Sequence, residues 1–353
     1  MLNSVLGLIM LVGSYGAAND TTFHSYNFDC QTGQVTLLET LTDLPNASFI
    51  TLADNGETLL AVNESSEATA AVTMLKKDIN NPARYNPVSS RLTGGADPCH
   101  IIVAPNGKYI VTSNYTGGSI SIIPFDGSNS SFGETCVIKF KGSGPVEKRQ
   151  DTPHAHFTSF TPDNKLMIVD DLGSDRLHIF PLDQSGYPVI EKMTDIEIQP
   201  GSGPRHLVYD NSGENAYLIN EISGTVTHLK YTSDNTTVTP VKYYEADYNH
   251  AAGSGDIHLS PDGRFLYVSN RLIGDNITAF EVNADDGSLS PIEVTSTGRH
   301  PRNFAITPDG KWLLVACRDD NRIEVFRRDT ENGSLTPTQF NIPCSRPVCI
   351  IFK

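Results

Sequence analysis

"SGDIHLSPDGRFLYVSNR", Ser254 to Arg271, reads as two short alternating strands around a Pro-Asp-Gly turn. The phrase returns five more times. "ASFITLADNGETLLAVNE" begins at Ala47, "PCHIIVAPNGKYIVTSNY" at Pro98, "AHFTSFTPDNKLMIVDDL" at Ala155, "PRHLVYDNSGENAYLINE" at Pro204 and "PRNFAITPDGKWLLVACR" at Pro301. Successive starts lie 51, 57, 49, 50 and 47 residues apart. A repeat of about 50 residues built from short strands and turn residues is the signature of a β-propeller blade.

Each unit continues with a third alternating strand, such as "GSISIIPFD" from Gly118 or "DRLHIFPLD" from Asp175, and then a more polar fourth. No helical stripe of apolar residues runs through three turns. After the sixth unit "SRPVCIIFK" matches only a first strand, while "LIMLVGSYG", "TTFHSYNFD" and "GQVTLLETL" at the N-terminus match a second, third and fourth. The expectation is an all-β, seven-bladed β-propeller, one domain over residues 1–353, closed by a blade shared between the N- and C-termini. That closure hides the edges an open sheet would expose.

Composition narrows the partners. A net charge of −15 over 353 residues opposes broad contact with a nucleic-acid backbone. No basic amphipathic segment and no run of about 20 apolar residues points to a membrane. The six cysteines show no C-x-x-C spacing, which suggests free thiols in a reducing compartment. The apolar start "MLNSVLGLIMLVGSYGAAND" imitates a secretory signal, but no Lys or Arg precedes its core and cleavage near Gly16 would delete a strand. A cytoplasmic protein, monomeric or weakly homo-oligomeric, is expected.

The polar residues then fall into a pattern. Counting eight residues back from the turn Gly213 gives Arg205, and eight forward gives Glu221. In an antiparallel hairpin these should be opposite each other at one rim. On all repeats, the same count gathers His156, Arg205, Arg302, Tyr115, Glu221, Arg271 and Arg318 there. It adds Ser48, Cys99, Tyr15 and Glu64, and one residue further on His100, His206 and Asp256. Charges recurring where seven strand ends converge must pair or bind something, and the mouth of a closed propeller is a common ligand site. A protein-binding mouth would show more aromatic anchors, whereas Trp312 is the only Trp.

The phrases "GSGPRHLVYDNSGENAYLINE", "PHAHFTSFTPDNKLMIVDDL" and "DIHLSPDGRFLYVSNR" resemble the lactonase family of seven-bladed propellers. That family includes propeller-type 6-phosphogluconolactonases and fungal carboxy-muconate cyclising enzymes. The resemblance implies that His156, Arg205, Glu221 and Arg271 stand at the positions of active-site groups, with Arg302 and Arg318 as further candidates for the second cation. His100, Tyr115, His206 and Asp256 are candidate substrate contacts with them.

The implied activity is hydrolysis of a small sugar lactone, 6-phospho-D-glucono-1,5-lactone, in the pentose phosphate pathway, without cofactor. A muconate-type cycloisomerase and a non-enzymatic binding propeller are the alternatives. Opening a lactone needs an activated water and a cation for the oxyanion. A Glu beside Arg205 should have a lowered pKa, so His156 is the preferred base, with Arg205 on the carbonyl and Arg271 on the anionic end. No G-x-S-x-G, H-E-x-x-H or phosphate-cradling loop occurs. The Arg residues oppose a divalent cation, so no metal is expected.

Overall fold

A computed structural model describes residues 7–66, 68–234 and 236–353. Seven antiparallel sheets are arranged around a channel, and their innermost strands are Ile50–Ala53, Pro98–Val103, Ala155–Phe160, Pro204–Tyr209, Ser254–Leu259, Pro301–Ile306 and Pro347–Phe352. We number the blades 1 to 7 in that order. Blade 7 joins Pro347–Phe352 to Leu8–Ser14, Phe23–Phe28 and Val35–Leu41, so the chain ends do close the ring. The first six residues of the apolar N-terminal stretch lie outside the described residues. Among the described residues no helix is long and apolar enough to cross a membrane.

Each sheet is apolar on both faces, and neither face is covered by its own strands. The buried side chains accordingly form seven clusters, each lying between two neighbouring blades. Met10, Val12 and Phe28 of blade 7, for example, pack on Leu314, Ile323 and Val325 of blade 6. Tyr217 and Tyr267 add polar latches: each hydroxyl donates to a glycine carbonyl of the next blade, Gly287 and Gly333, at 2.8 and 2.7 Å.

The recurring residues of the repeat have local work. In "SPDG" and "TPDG" the hydroxyls of Ser260 and Thr307 accept the backbone N–H of Phe265 and Trp312, and Gly263 and Gly310 take the left-handed conformation that closes the turn. Asn164 replaces that glycine in blade 3 and adopts φ 57°, a conformation Asn tolerates. The Asn ending the second strand ties it to the third. Asn114 donates to Ser119 and Ser121, Asn220 to Thr225 and Thr227, and Asn270 to Asn276 and Thr278.

The first and second strands do not pair as symmetrical counting expects. Pro204 pairs with Asn220 and His206 with Ile219, leaving Arg205 as an extra residue in a β-bulge. The same shift brackets Cys99, His156, Arg302 and Val348, and in blade 5 both Gly255 and Asp256. A bulge turns two consecutive side chains to one side of the strand. Arg205 and His206 therefore approach each other, with Arg205 Nη1 3.1 Å from His206 Nε2.

Asn270 is fully buried, donates to the Ala246 carbonyl at 2.9 Å and accepts from Ser254 at 2.7 Å. Asn270→Ala would strand these partners. It should lower unfolding free energy by about 2 kcal/mol, read from urea denaturation at neutral pH.

Candidate active site

The bulges produce two tiers at one end of the channel. The lower tier is a belt that runs through Phe49, His100, Phe157, His206, Asp256 and Asn303. Ring centroids are 4.5 Å apart for Phe49 and His100, 4.1 Å for His100 and Phe157, and 4.7 Å for Phe157 and His206. His206 Nδ1 then lies 2.7 Å from Asp256 Oδ1, Asn303 donates to Asp256 Oδ2, and Asn303 Oδ1 accepts the Ile350 N–H at 2.7 Å. His258 places Nε2 2.9 Å from Asp256 Oδ2.

Three of the candidate substrate contacts belong to this belt. His100 is buried and accepts the Thr158 N–H at 3.3 Å; burial, with His206 nearby, holds it well below the usual imidazole range. Burial and Arg205 push His206 down to about 4 against the pull of Asp256. Neutral His206 then receives Arg205 on Nε2 and donates from Nδ1 to Asp256. The placement of His100, His206 and Asp256 is that of a floor that positions the residues above it.

Above the floor, Glu221 gathers three guanidinium groups. Its Oε2 is 2.7 Å from Arg205 Nε and 3.1 Å from Arg271 Nη2, and its Oε1 is 2.6 Å from Arg149 Nη2. Burial works to raise the carboxyl pKa, but Arg271, Arg205, Arg149 and Arg302 outweigh it and hold the group at about 2. The expected Arg205–Glu221 contact is present, reached through the bulge and not through direct strand pairing.

The arginines differ in how much bonding capacity the protein leaves them. Arg205, 1% exposed, also donates to the Gly255 carbonyl at 2.7 Å. Arg271, 4% exposed, donates to the Gly253 and Ser254 carbonyls at 2.8 and 3.1 Å and lies 3.4 Å from His300 Nε2. Both are largely engaged by protein. Arg318 stays at the rim, bonded to Asp319 at 2.7 Å. Arg302 stacks over the Tyr15 ring, 5.5 Å from its centroid, and makes no hydrogen bond or ion pair with the described residues through its guanidinium. It is half-buried, and Tyr15, Glu64 and Glu221 raise its pKa against the desolvation that would lower it.

His156 projects from the bulge of blade 3, its ring 5.2 Å from His206 and 5.6 Å from Tyr115. Its buried Nδ1 has no hydrogen-bond partner among the described residues. Burial first, then Arg205, His206, Arg302 and Arg271, keep it well below the ordinary imidazole range and hence neutral. Tyr115 stacks on His154, 4.4 Å between centroids, and its carbonyl lies 3.0 Å from His154 Nδ1. His154 is thus part of the wall. Across the mouth, the Tyr15 hydroxyl donates to both oxygens of Glu64 at 3.0 and 2.9 Å, and Ser48 donates to Glu64 as well.

Sequence reading missed Arg149 and His300. Arg149 lies on the loop between blades 2 and 3, outside the repeat; its one signal is the 57-residue spacing from Pro98 to Ala155. His300 lies just before the inner strand of blade 6, outside the positions that the repeat compares. Among the described residues no three His, Cys, Asp or Glu side chains converge as a metal site. Asn114, Asn220 and Asn270 spend their amides on the third strands.

The profile of the family described as "Lactonase, 7-bladed beta-propeller" matches residues 9–352. The chain belongs to this lactonase family. Among its members, a 6-phosphogluconolactonase of Formosa agariphila is 37% identical over 92% of this chain and 94% of its own. The 6-phosphogluconolactonase of Bacillus subtilis is 28% identical over 97% of each. A Bacteroides fragilis crystal structure shares 40% identity with a TM-score of 0.93 over 100% of this chain and 99% of that one. The periplasmic gluconolactonase of Pseudomonas aeruginosa is 28% identical with a TM-score of 0.89 over 98% of both chains. In this lactonase propeller His156, Arg205 and Glu221 face one mouth of the ring.

The depressed pKa of Glu221 carries a pH dependence. A carboxyl held at about 2 in the folded chain, against 4.5 ordinarily, stabilises the fold above pH 4.5 and loses that contribution as pH falls towards 2. Glu221→Gln should lower the melting temperature at pH 6 and flatten its decline between pH 5 and 3, measured by circular dichroism.

Proposed function

We propose that this protein hydrolyses a sugar δ-lactone, 6-phospho-D-glucono-1,5-lactone, to the open acid. The observation that carries this reading is the neutral His156, its Nδ1 without a hydrogen-bond partner among the described residues, sharing a mouth with the Arg302 guanidinium while the other arginines there are tied to Glu221 or Asp319. The 6-phosphogluconolactonase names of the Formosa and Bacillus relatives support the substrate.

His156 accepts a proton from water as the water oxygen bonds to the lactone carbonyl carbon. Arg302, the guanidinium without a protein hydrogen bond, meets the oxyanion that forms. The C–O bond to the ring oxygen then breaks, and the proton held by His156 passes to the departing alkoxide. Glu221 has both oxygens occupied and a pKa near 2, so it is a poor base and serves to hold Arg205 and Arg271. An anionic substrate entering the mouth would offset the cations that depress His156, raising its basicity where it is used. Tyr15 and Glu64 face the same mouth and suit recognition of sugar hydroxyls.

A cytoplasmic setting belongs to the same proposal. It is supported by six unpaired cysteines, four of them buried, and by the structural use of Leu8–Ser14 as a strand. Cell fractionation tests it.

Purified protein should accelerate acid release from fresh 6-phosphogluconolactone above the spontaneous rate. His156→Ala and Arg302→Ala should each lower kcat/KM by about 100-fold or more. Because burial and the arginines lower the His156 pKa, loss of kcat/KM on acidification should set in well below the ordinary imidazole value of 6.5. No acceleration by the parent protein removes the lactonase reading.

A further inference from the structure

The mouth holds more cation than its own carboxylates balance. Arg149, Arg205, Arg271, Arg302 and Arg318 stand against Glu221, Glu64 and Asp319, and the neighbouring His156 and His300 are both pushed towards neutrality. Among these side chains two positive charges are left over, in a chain whose net charge is −15; the Asp256 carboxylate beneath them is paired with His258, whose pKa it raises. A phosphate monoester carries close to two negative charges at neutral pH, which matches the surplus.

Which guanidinium meets it follows from what each already holds. Arg205 and Arg271 are enclosed and engaged by carbonyls, histidines and Glu221. Arg318 has its charge offset by the adjacent Asp319, whereas Arg149 shares Glu221 with two other arginines. Arg302 is the cation assigned to the reacting carbonyl. Arg149 remains: its side chain is 35% exposed, and Glu221, the Tyr115 hydroxyl and a long 3.4 Å contact to the Ala252 carbonyl leave N–H groups unused.

The loop that presents Arg149 is fixed. Neighbouring Gln150 is fully buried and donates to Asp175 Oδ1 at 2.7 Å and to the Leu172 carbonyl at 2.8 Å. Asp175 also accepts the Gly201 and Gly203 N–H groups, at 2.7 and 2.8 Å. One carboxylate therefore anchors both the Arg149 loop and the segment leading into Arg205.

We propose that Arg149 is the phosphate-recognising residue of this mouth and makes the site selective for a phosphorylated sugar acid or lactone over its unphosphorylated counterpart. The proposal takes its substrate from the lactonase reading, but its binding test does not need catalysis. It places selectivity on an inter-blade loop, where it can change without disturbing the ring.

Isothermal titration of the whole protein with 6-phosphogluconate and with gluconate tests it. The parent should bind 6-phosphogluconate at least tenfold more tightly, Arg149→Met should cut that ratio at least tenfold, and Arg149→Lys should retain part of it. The ratio of kcat/KM for the two lactones should move in parallel. A parent that does not discriminate, or an Arg149→Met protein with an unchanged ratio, overturns the proposal. So does equal weakening of both ligands, which is what a merely structural role for Arg149 would produce. If Arg149→Met does not fold, the ratio for Arg149→Lys decides, and full parental selectivity there overturns the proposal. Binding selectivity without lactone opening would remove the lactonase reading and leave Arg149; lactone opening with unchanged selectivity would do the reverse.

Discussion

Each sheet of this protein has two apolar faces and covers neither of them by itself. That constraint governs the rest of the structure. Leu218 of blade 4 needs Ile168 and Leu177 of blade 3, and Tyr217 on the opposite face needs Ile257 and Leu266 of blade 5. Such a stack leaves two bare faces until it closes on itself. The C-terminal strand Pro347–Phe352 closes it by lying beside Leu8–Ser14, with Met10 against Phe352 and Val12 against Ile350. Closure brings seven inner strands together at one axis, and the polar chemistry is a consequence of that crowding.

At the axis the problem is electrostatic. Several arginines from different blades and one loop converge within a low-dielectric mouth, where bare like charges are costly. Glu221 resolves this for three of them, at the expense of its own basicity. The belt beneath does the same for the histidines: Asp256 takes His206 and His258, and His206 stays neutral under Arg205. Charges that are fully compensated become scaffold. The groups with bonding capacity to spare, His156 and Arg302 in the mouth and Arg149 at its edge, are those open to a ligand.

Much of this was legible before any coordinates. The six-fold phrase indicated the blade count, the matching ends located the shared blade, and the polar ends of the phrase gathered His156, Arg205, Glu221 and Arg271, among others, at one mouth. The reason is that a repeat compares a chain with itself, so deviations from an apolar pattern stand out at equivalent positions. What the comparison misread was register. Counting from the turn placed Arg205 opposite Glu221, whereas the bulge makes Arg205 an unpaired residue and turns His206 to the same side. Asp256 and His100 looked like rim residues on that count and lie in the floor.

The sequence by itself determined the ring, its closure and the residue types available at the mouth, because strand alternation and turn chemistry are local and are written out six times. Tertiary structure decided which of those residues are spent and which are free. Arg149 and His300 enter from segments outside the periodic positions, so no comparison among blades can find them. Whether an arginine is scaffold or ligand site depends on the carbonyls and carboxylates brought to it from other blades, and those distances exist only once the ring has closed.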